Sequence, residues 1–254
     1  MASRHGLITA VVSLALGVVV AAMASLNVAL PNIAQDIHAS QTELVWVIDA
    51  YSLAFAALLL PAGGIGDRYG RRIALIIGLT VFGGASAIAI AAGSSTELIV
   101  LRAVIGVGAA LVMPATLSTI TSTFPASKRT RAVSIWAAVA GGAGVIGLLT
   151  SGALLAAFSW RSIFILNATL AVIALAGTIR FVPESADPNP APLDLRPVLR
   201  VLRLRVPRDA VPPDRAWRHG SAGGAASAPI DRSDDSHLAA GPEADSSSPS
   251  VPRK

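Results

Sequence analysis

Six runs of apolar residues, each about as long as a bilayer crossing, fill most of the first 182 positions of this chain and leave few choices of fold. They extend from Leu7 to Leu30, Leu44 to Ala62, Ile73 to Ala92, Leu98 to Thr119, Ala132 to Phe158 and Ile163 to Phe181. A hydrocarbon core about 30 Å thick takes roughly 20 such residues per helix, and lipid offers no partner to an unpaired peptide group. Hydrophobic residues make up 53% of the chain and charged residues only 14%, a balance outside the range of soluble domains. The sequence therefore predicts an all-α integral membrane domain over residues 1–182. Its many Gly, Ala and Ser residues suit close approach of membrane helices.

Charge sets the expected topology. Arg4, then Arg68, Arg71 and Arg72, then Lys128, Arg129 and Arg131, then Arg180 fall on one side if both termini are cytoplasmic, and the opposite loops hold only Arg161. Six spans in the cell membrane with both ends inside follow. The net charge of +5 thus reports orientation in a bilayer, not a nucleic-acid partner. Trp46 and Trp160 are expected near the outer boundary and Trp136 near the inner one, where amphipathic rings prefer to sit. Arg4 and His5 before an apolar run, with Ala22-Met23-Ala24 beyond it, also resemble a signal peptide, but the run continues to Leu30 and more spans follow.

After Val182 the composition turns over: 12 of the 16 prolines lie from Pro183 onward, so no further span is expected there. Residues 183–254 read as a cytoplasmic low-complexity tail, and stretches such as Ser221 to Gly224 and Ser246 to Pro249 as disordered. Leu195, Leu199 and Leu202 recur at helical spacing beside Arg196, Arg200 and Arg203. Two readings stay open for them, a basic helix on the inner membrane surface and an unstructured arginine-rich chain.

Between the second and third runs stands Gly63-Gly64-Ile65-Gly66-Asp67-Arg68-Tyr69-Gly70-Arg71-Arg72. It reads as a charged cytoplasmic hairpin in which Gly63 and Gly70 let the chain turn. Asp67 can meet helix N-terminal amides or pair with Arg68, Arg71 or a base in the loop after span 4. Asn27-Val28-Ala29-Leu30-Pro31-Asn32-Ile33 closes the first run. Trp46-Val47-Ile48-Asp49-Ala50-Tyr51-Ser52-Leu53 lies in the second, and the fourth holds Leu98, Arg102, Gly106, Gly108, Ala109 and Ala110. Trp160-Arg161-Ser162-Ile163-Phe164-Ile165-Leu166-Asn167 opens the sixth.

In this order these segments resemble the major facilitator superfamily and, within it, the fourteen-span drug:proton antiporter branch, over roughly positions 7 to 184. The resemblance implies one six-span half of a transporter, made of two inverted three-span repeats. It also implies proton-coupled efflux of drugs or small amphiphilic metabolites, with a second half-transporter or a homodimer supplying the other wall of the cavity. The loop of Gly63, Asp67, Arg68, Gly70, Arg71 and Arg72 would then latch one conformation and open as access alternates. A plain topogenic loop is the alternative, since arginines alone anchor a loop inside.

Departures weaken the coupling part of that resemblance. Ala22 stands where the branch carries an Asp, Ile105 where it has Gln, and Thr169 where it has Pro. Gly147 to Gly152 replaces a G-P-x-x-G-G segment. At Asp187 to Leu195 the chain still resembles the linker into a seventh span and then turns Arg- and Pro-rich. A shifted reading frame and an evolved six-span protein both account for that, and a non-transporting remnant or interaction module is the alternative function.

Two ionisable residues lie within the spans. Asp49 is six positions beyond Glu43 and Arg102 five beyond Glu97, so both are roughly 8 Å deep at about 1.5 Å per residue. Equal depth permits pairing, with Asp49 exchanging a proton and Arg102 biasing it. Asp49 reaching the headgroups and being solvated there is the other reading. Ala143, Gly147 and Ser151 recur every four residues, with Gly152 beside them, as a smooth helix-packing face. No catalytic constellation, phosphate loop or cofactor motif stands out, the chain has no Cys, and its four His are scattered, so neither an enzyme nor a metal site is expected.

Overall fold

The computed structural model describes residues 2–186, which form six helices and no strand. These are α1 (Ala2–Asp36), α2 (Gln41–Tyr69), α3 (Arg71–Ala89), α4 (Ser95–Thr123), α5 (Ala126–Ala157) and α6 (Arg161–Phe181). All six are long and apolar enough to cross a membrane. The linker from Asp187, the basic segment around Leu199 and the Ser- and Gly-rich stretches lie outside the described residues.

The helices run past the apolar segments that nucleate them. Near a membrane surface a peptide group still gains most from its own helix, so α2 continues through Gly63 and Gly66 to Tyr69. The expected hairpin shrinks to one residue, Gly70, at φ 117° and ψ 131°, a backbone region closed to most L-residues. Gly63 makes no turn. It sits inside α2, where an added Cβ would lie 3.5 Å from Pro114 Cβ, an ordinary contact.

At the opposite end two S-x-x-E sequences start helices. Ser40 Oγ accepts from Glu43 N at 3.4 Å while Glu43 Oε2 accepts from Ser40 N at 2.8 Å, a reciprocal cap for α2. Ser94 Oγ accepts from Glu97 N at 3.3 Å and begins α4, while Glu97 Oε2 accepts from Gly93 N at 3.0 Å, one residue earlier than a reciprocal box requires. The Ser95 hydroxyl then donates to the Glu43 carboxylate, which joins the two helix starts.

Packing follows an exchange symmetry. α4 lies against α2 and α3, α1 lies against α5 and α6, and α1 touches α4 as α3 touches α6. Swapping the first three helices for the last three maps these pairs onto one another, as two inverted repeats require. Because lipid is as apolar as a leucine side chain, the helices hold together by close fit. Gly108 on α4 meets α3 so tightly that a Cβ would stand 2.6 Å from Phe82 N and 2.7 Å from Gly78 O. Gly106 brings α4 to α2 with 2.5 Å between such a Cβ and Tyr51 O.

Backbone cannot yield as a side chain can, so Gly108→Ala is expected to destabilise the bundle by about 1–3 kcal/mol. Gly141→Ala, where nothing lies within 4 Å of the new methyl, is the control. Thermal unfolding of the detergent-purified chain should show a lower midpoint for the first and no loss for the second.

Candidate functional site

Polar side chains gather in three places: a clasp at the Gly70 end, a buried arginine between α1, α2 and α4, and a knot at the Trp160 end.

In the clasp, Asp67 Oδ1 accepts from Arg71 Nε at 3.1 Å and forms an ion pair with Arg71 Nη2 at 3.1 Å, across the Gly70 joint. Arg71 N donates to Ser185 O at 2.9 Å and Arg72 N to Glu184 Oε1 at 3.3 Å, so the segment after α6 satisfies the open amides of α3. A carboxylate there also suits the helix dipole. Arg72 Nη2 reaches back to Ile179 O on α6 at 2.7 Å. Ser122 and Ser185 hydroxyls, 3.4 Å apart, bring in the end of α4. Of the partners expected for Asp67, only Arg71 is engaged. Arg68 is exposed beside the Tyr69 ring, 5.9 Å from its centroid, and Lys128, Arg129 and Arg131 are exposed without an ion pair among the described residues.

Arg102 is 1% exposed. Its Nε donates to Val47 O at 3.0 Å and its Nη1 to Ala22 O at 3.4 Å. The guanidinium lies 4.4 Å from the centroid of the Tyr51 ring, whose hydroxyl donates to Val19 O at 2.8 Å. Carbonyl dipoles and a ring face thus surround the charge, and Nη2 forms no hydrogen bond among the described residues. The expected pairing with Asp49 is not formed. Equal depth was the wrong criterion, because angle decides: Val47 and Tyr51 share one face of α2, while Asp49 stands about 200° from Val47 at 100° per residue. Asp49 is half-buried and has no ion pair among the described residues.

At the far end Asp36 Oδ2 accepts from Arg161 Nη1 at 2.6 Å and from Trp160 Nε1 at 3.0 Å. Arg161 Nη2 donates to Ala92 O at 3.3 Å. Trp160 is 2% exposed, packed edge-on against Phe164 and bonded to Asp36, so it is an interior ring and not a headgroup anchor. Trp136 donates to Thr116 Oγ1 at 3.0 Å and links α5 to α4.

Ala143, Gly147 and Ser151 are buried on α5, facing α1. A Cβ on Gly147 would lie 2.6 Å from Ala21 O, and Ser151 Oγ donates to Ser25 O at 2.6 Å. Gly152 is not part of this contact, since nothing lies within 4 Å of a methyl built there.

Sequence reasoning missed Glu184, Ser185, Asp36 and the Glu43–Ser95 link. Composition places Pro183-Glu184-Ser185 in the tail, and the S-x-x-E sequences at Ser40 and Ser94 are a local signal that marks both helix starts. Nothing in a linear pattern marks Asp36 as the partner of a residue more than a hundred positions away.

Six apolar helices in two inverted triplets, tied at both ends and holding the buried Arg102 guanidinium, define a half of a secondary-transporter fold. The Major Facilitator Superfamily model matches residues 12–227, and the chain belongs to that family. It is 40% identical over 171 residues to the methyl viologen resistance protein SmvA of Salmonella typhimurium, covering 67% of this chain and 34% of that one. It is 44% identical over 167 residues to the multidrug efflux pump LfrA of Mycolicibacterium smegmatis, covering 65% and 33%. The chain thus spans about a third of the length of these relatives. In fold it resembles an inward-facing bacterial homologue of the lysosomal transporter Spinster, with TM-score 0.59 and 19% identity over 71% of this chain and 45% of that one. It also resembles a peptide transporter bound to sulfate, with TM-score 0.60 and 16% identity over 68% and 37%.

The Gly70 joint gives a direct test of the clasp. Gly70→Ala places a methyl against the Glu184 carboxylate and imposes a positive φ on an L-residue, so it should lower the unfolding midpoint. Adding Glu184→Ala should recover at most part of the loss, because the collision is removed while the backbone strain stays and the Glu184 cap on Arg72 N is lost.

Proposed function

We propose that this chain is the N-terminal half of a proton-coupled exporter of drugs or small amphiphilic metabolites, acting in the cell membrane together with a second six-span half or a second copy of itself. The observation that carries this reading is the buried Arg102, whose Nη2 forms no hydrogen bond among the described residues, in a bundle whose relatives are named for multidrug efflux and methyl viologen resistance. A charge at such depth costs at least about 2.5–3.5 kcal/mol on insertion scales and is kept for a purpose.

In the proposed orientation both termini are cytoplasmic. Arg68, Arg71, Arg72, Lys128, Arg129, Arg131 and Arg180 mark the inner end, and Arg161 the outer. The Asp67–Arg71 pair and the Glu184 cap then form an inner latch that opens as the half rocks, while the Asp36–Arg161 knot holds the outer ends of α1 and α6. Asp49 is the candidate proton carrier. It is partly exposed, so its proton can exchange with a water-filled cavity shared with the second half, whereas Arg102 supplies a fixed positive field between α1 and α2.

The test uses cells without endogenous drug pumps that express this chain alone or with a complementary half, followed by ethidium accumulation and methyl viologen tolerance. Export that stops when a protonophore collapses the gradient supports the reading. Accumulation equal to that of empty cells in both cases overturns it. Arg102→Met separates function from packing: replacing a buried ion with an apolar side chain of similar volume is often neutral or stabilising. The variant should keep its unfolding midpoint and lose export.

A further inference from the structure

Of the three groups that surround the Arg102 guanidinium, only one is a side chain. Val47 O and Ala22 O belong to the backbones of α2 and α1, and the Tyr51 ring lies with its centroid 4.4 Å from the guanidinium carbon. No carboxylate forms an ion pair with Arg102 among the described residues. The electron-rich face of the ring therefore stands where a counter-charge would, and its attraction for a cation grows where water is excluded. Both partners meet that condition, since Arg102 and Tyr51 are each 1% exposed.

The ring is itself anchored. Its hydroxyl donates to Val19 O at 2.8 Å, so Tyr51 and Arg102 hold carbonyls three residues apart on α1. Phe55, four residues on along α2, lies parallel to it with the centroids 6.2 Å apart. Gly106, four residues on from Arg102, lets α4 close on α2 beside Tyr51 O. Each carbonyl engages a single N–H, and a long arginine side chain can trade one such acceptor for the next along a helix. A ring carried by α2 and tied to α1 instead offers the planar ion one face to rest on.

We propose that Tyr51 is the positioning residue for Arg102: its ring face, tethered to α1 through the hydroxyl, takes the part of a counter-ion and sets where the guanidinium sits. The use of that charge in export rests on the transport reading, and the positioning does not.

The test places phenylalanine and its monofluoro, difluoro and trifluoro forms at position 51 of the full chain by nonsense suppression, once with Arg102 and once with Arg102→Met. Fluorine drains electron density from the ring face with little change in shape, so an electrostatic hold weakens stepwise and packing does not. In detergent the unfolding midpoint should fall along the series by about 2–4 °C with Arg102 present and stay level with Met. Equal slopes on both backgrounds, or no slope with Arg102, would overturn the proposal. A second measurement keeps the site native. Tyr69→Phe leaves Tyr51 as the single tyrosine, and magic-angle-spinning NMR in liposomes should show dipolar coupling between its labelled ring carbons and labelled arginine guanidinium nitrogens. Arg102→Met should abolish that coupling. Its absence with Arg102 in place would sink the proposal even if the fluorinated chains do not fold. Neither readout requires transport, so a chain that exports nothing but shows both effects refutes the transport reading alone.

Discussion

A bilayer supplies no partner for a peptide group or a charge, so the polar groups of this bundle are favoured where the protein itself supplies one. That constraint explains why the helices extend beyond their apolar runs, why α2 and α3 are separated by a single glycine, and why α3 begins against Glu184. It also explains how Arg102 is tolerated. With no carboxylate beside it, the guanidinium takes two backbone carbonyls and the face of Tyr51, and only Nη2 forms no hydrogen bond among the described residues.

The ends of the bundle show the repeat symmetry in their hydrogen bonds. At the start of α3, Arg72 bonds to Ile179 O near the end of α6, and at the start of α6, Arg161 bonds to Ala92 O just beyond the end of α3. Each triplet thus uses an arginine at the start of its third helix to grip the finish of the other. The acids differ, since Asp67 is bonded within its own joint while Asp36 reaches across to α6. The two ends are therefore tied with unequal reach, and the Gly70 end relies on a short segment outside any helix.

Much of this was readable in the chain. Span number, family and the small-residue face of α5 follow from run length, motif order and a four-residue period, all of which are local. The partners were not legible, because they depend on angle and long-range contact. Asp49 and Arg102 share a depth but not a direction, Gly63 belongs to a helix that composition ended too early, and Trp160 is an interior ring. Glu184 lies two residues past Val182, where the composition turns over, so composition puts it in the tail and conceals its role in closing α3.

In the proposed orientation, six crossings put the Asp67–Arg71 joint on the cytoplasmic side and the Asp36–Arg161 knot outside. The chain has no Cys, so single substitutions at exposed positions report sidedness cleanly. Tyr69 and Phe158, 61% and 64% exposed, mark the two ends. With a membrane-impermeant maleimide added to intact cells, Phe158→Cys should label at once and Tyr69→Cys only after the membrane is opened. Immediate labelling of Tyr69→Cys, or equal labelling of the two, would contradict the account.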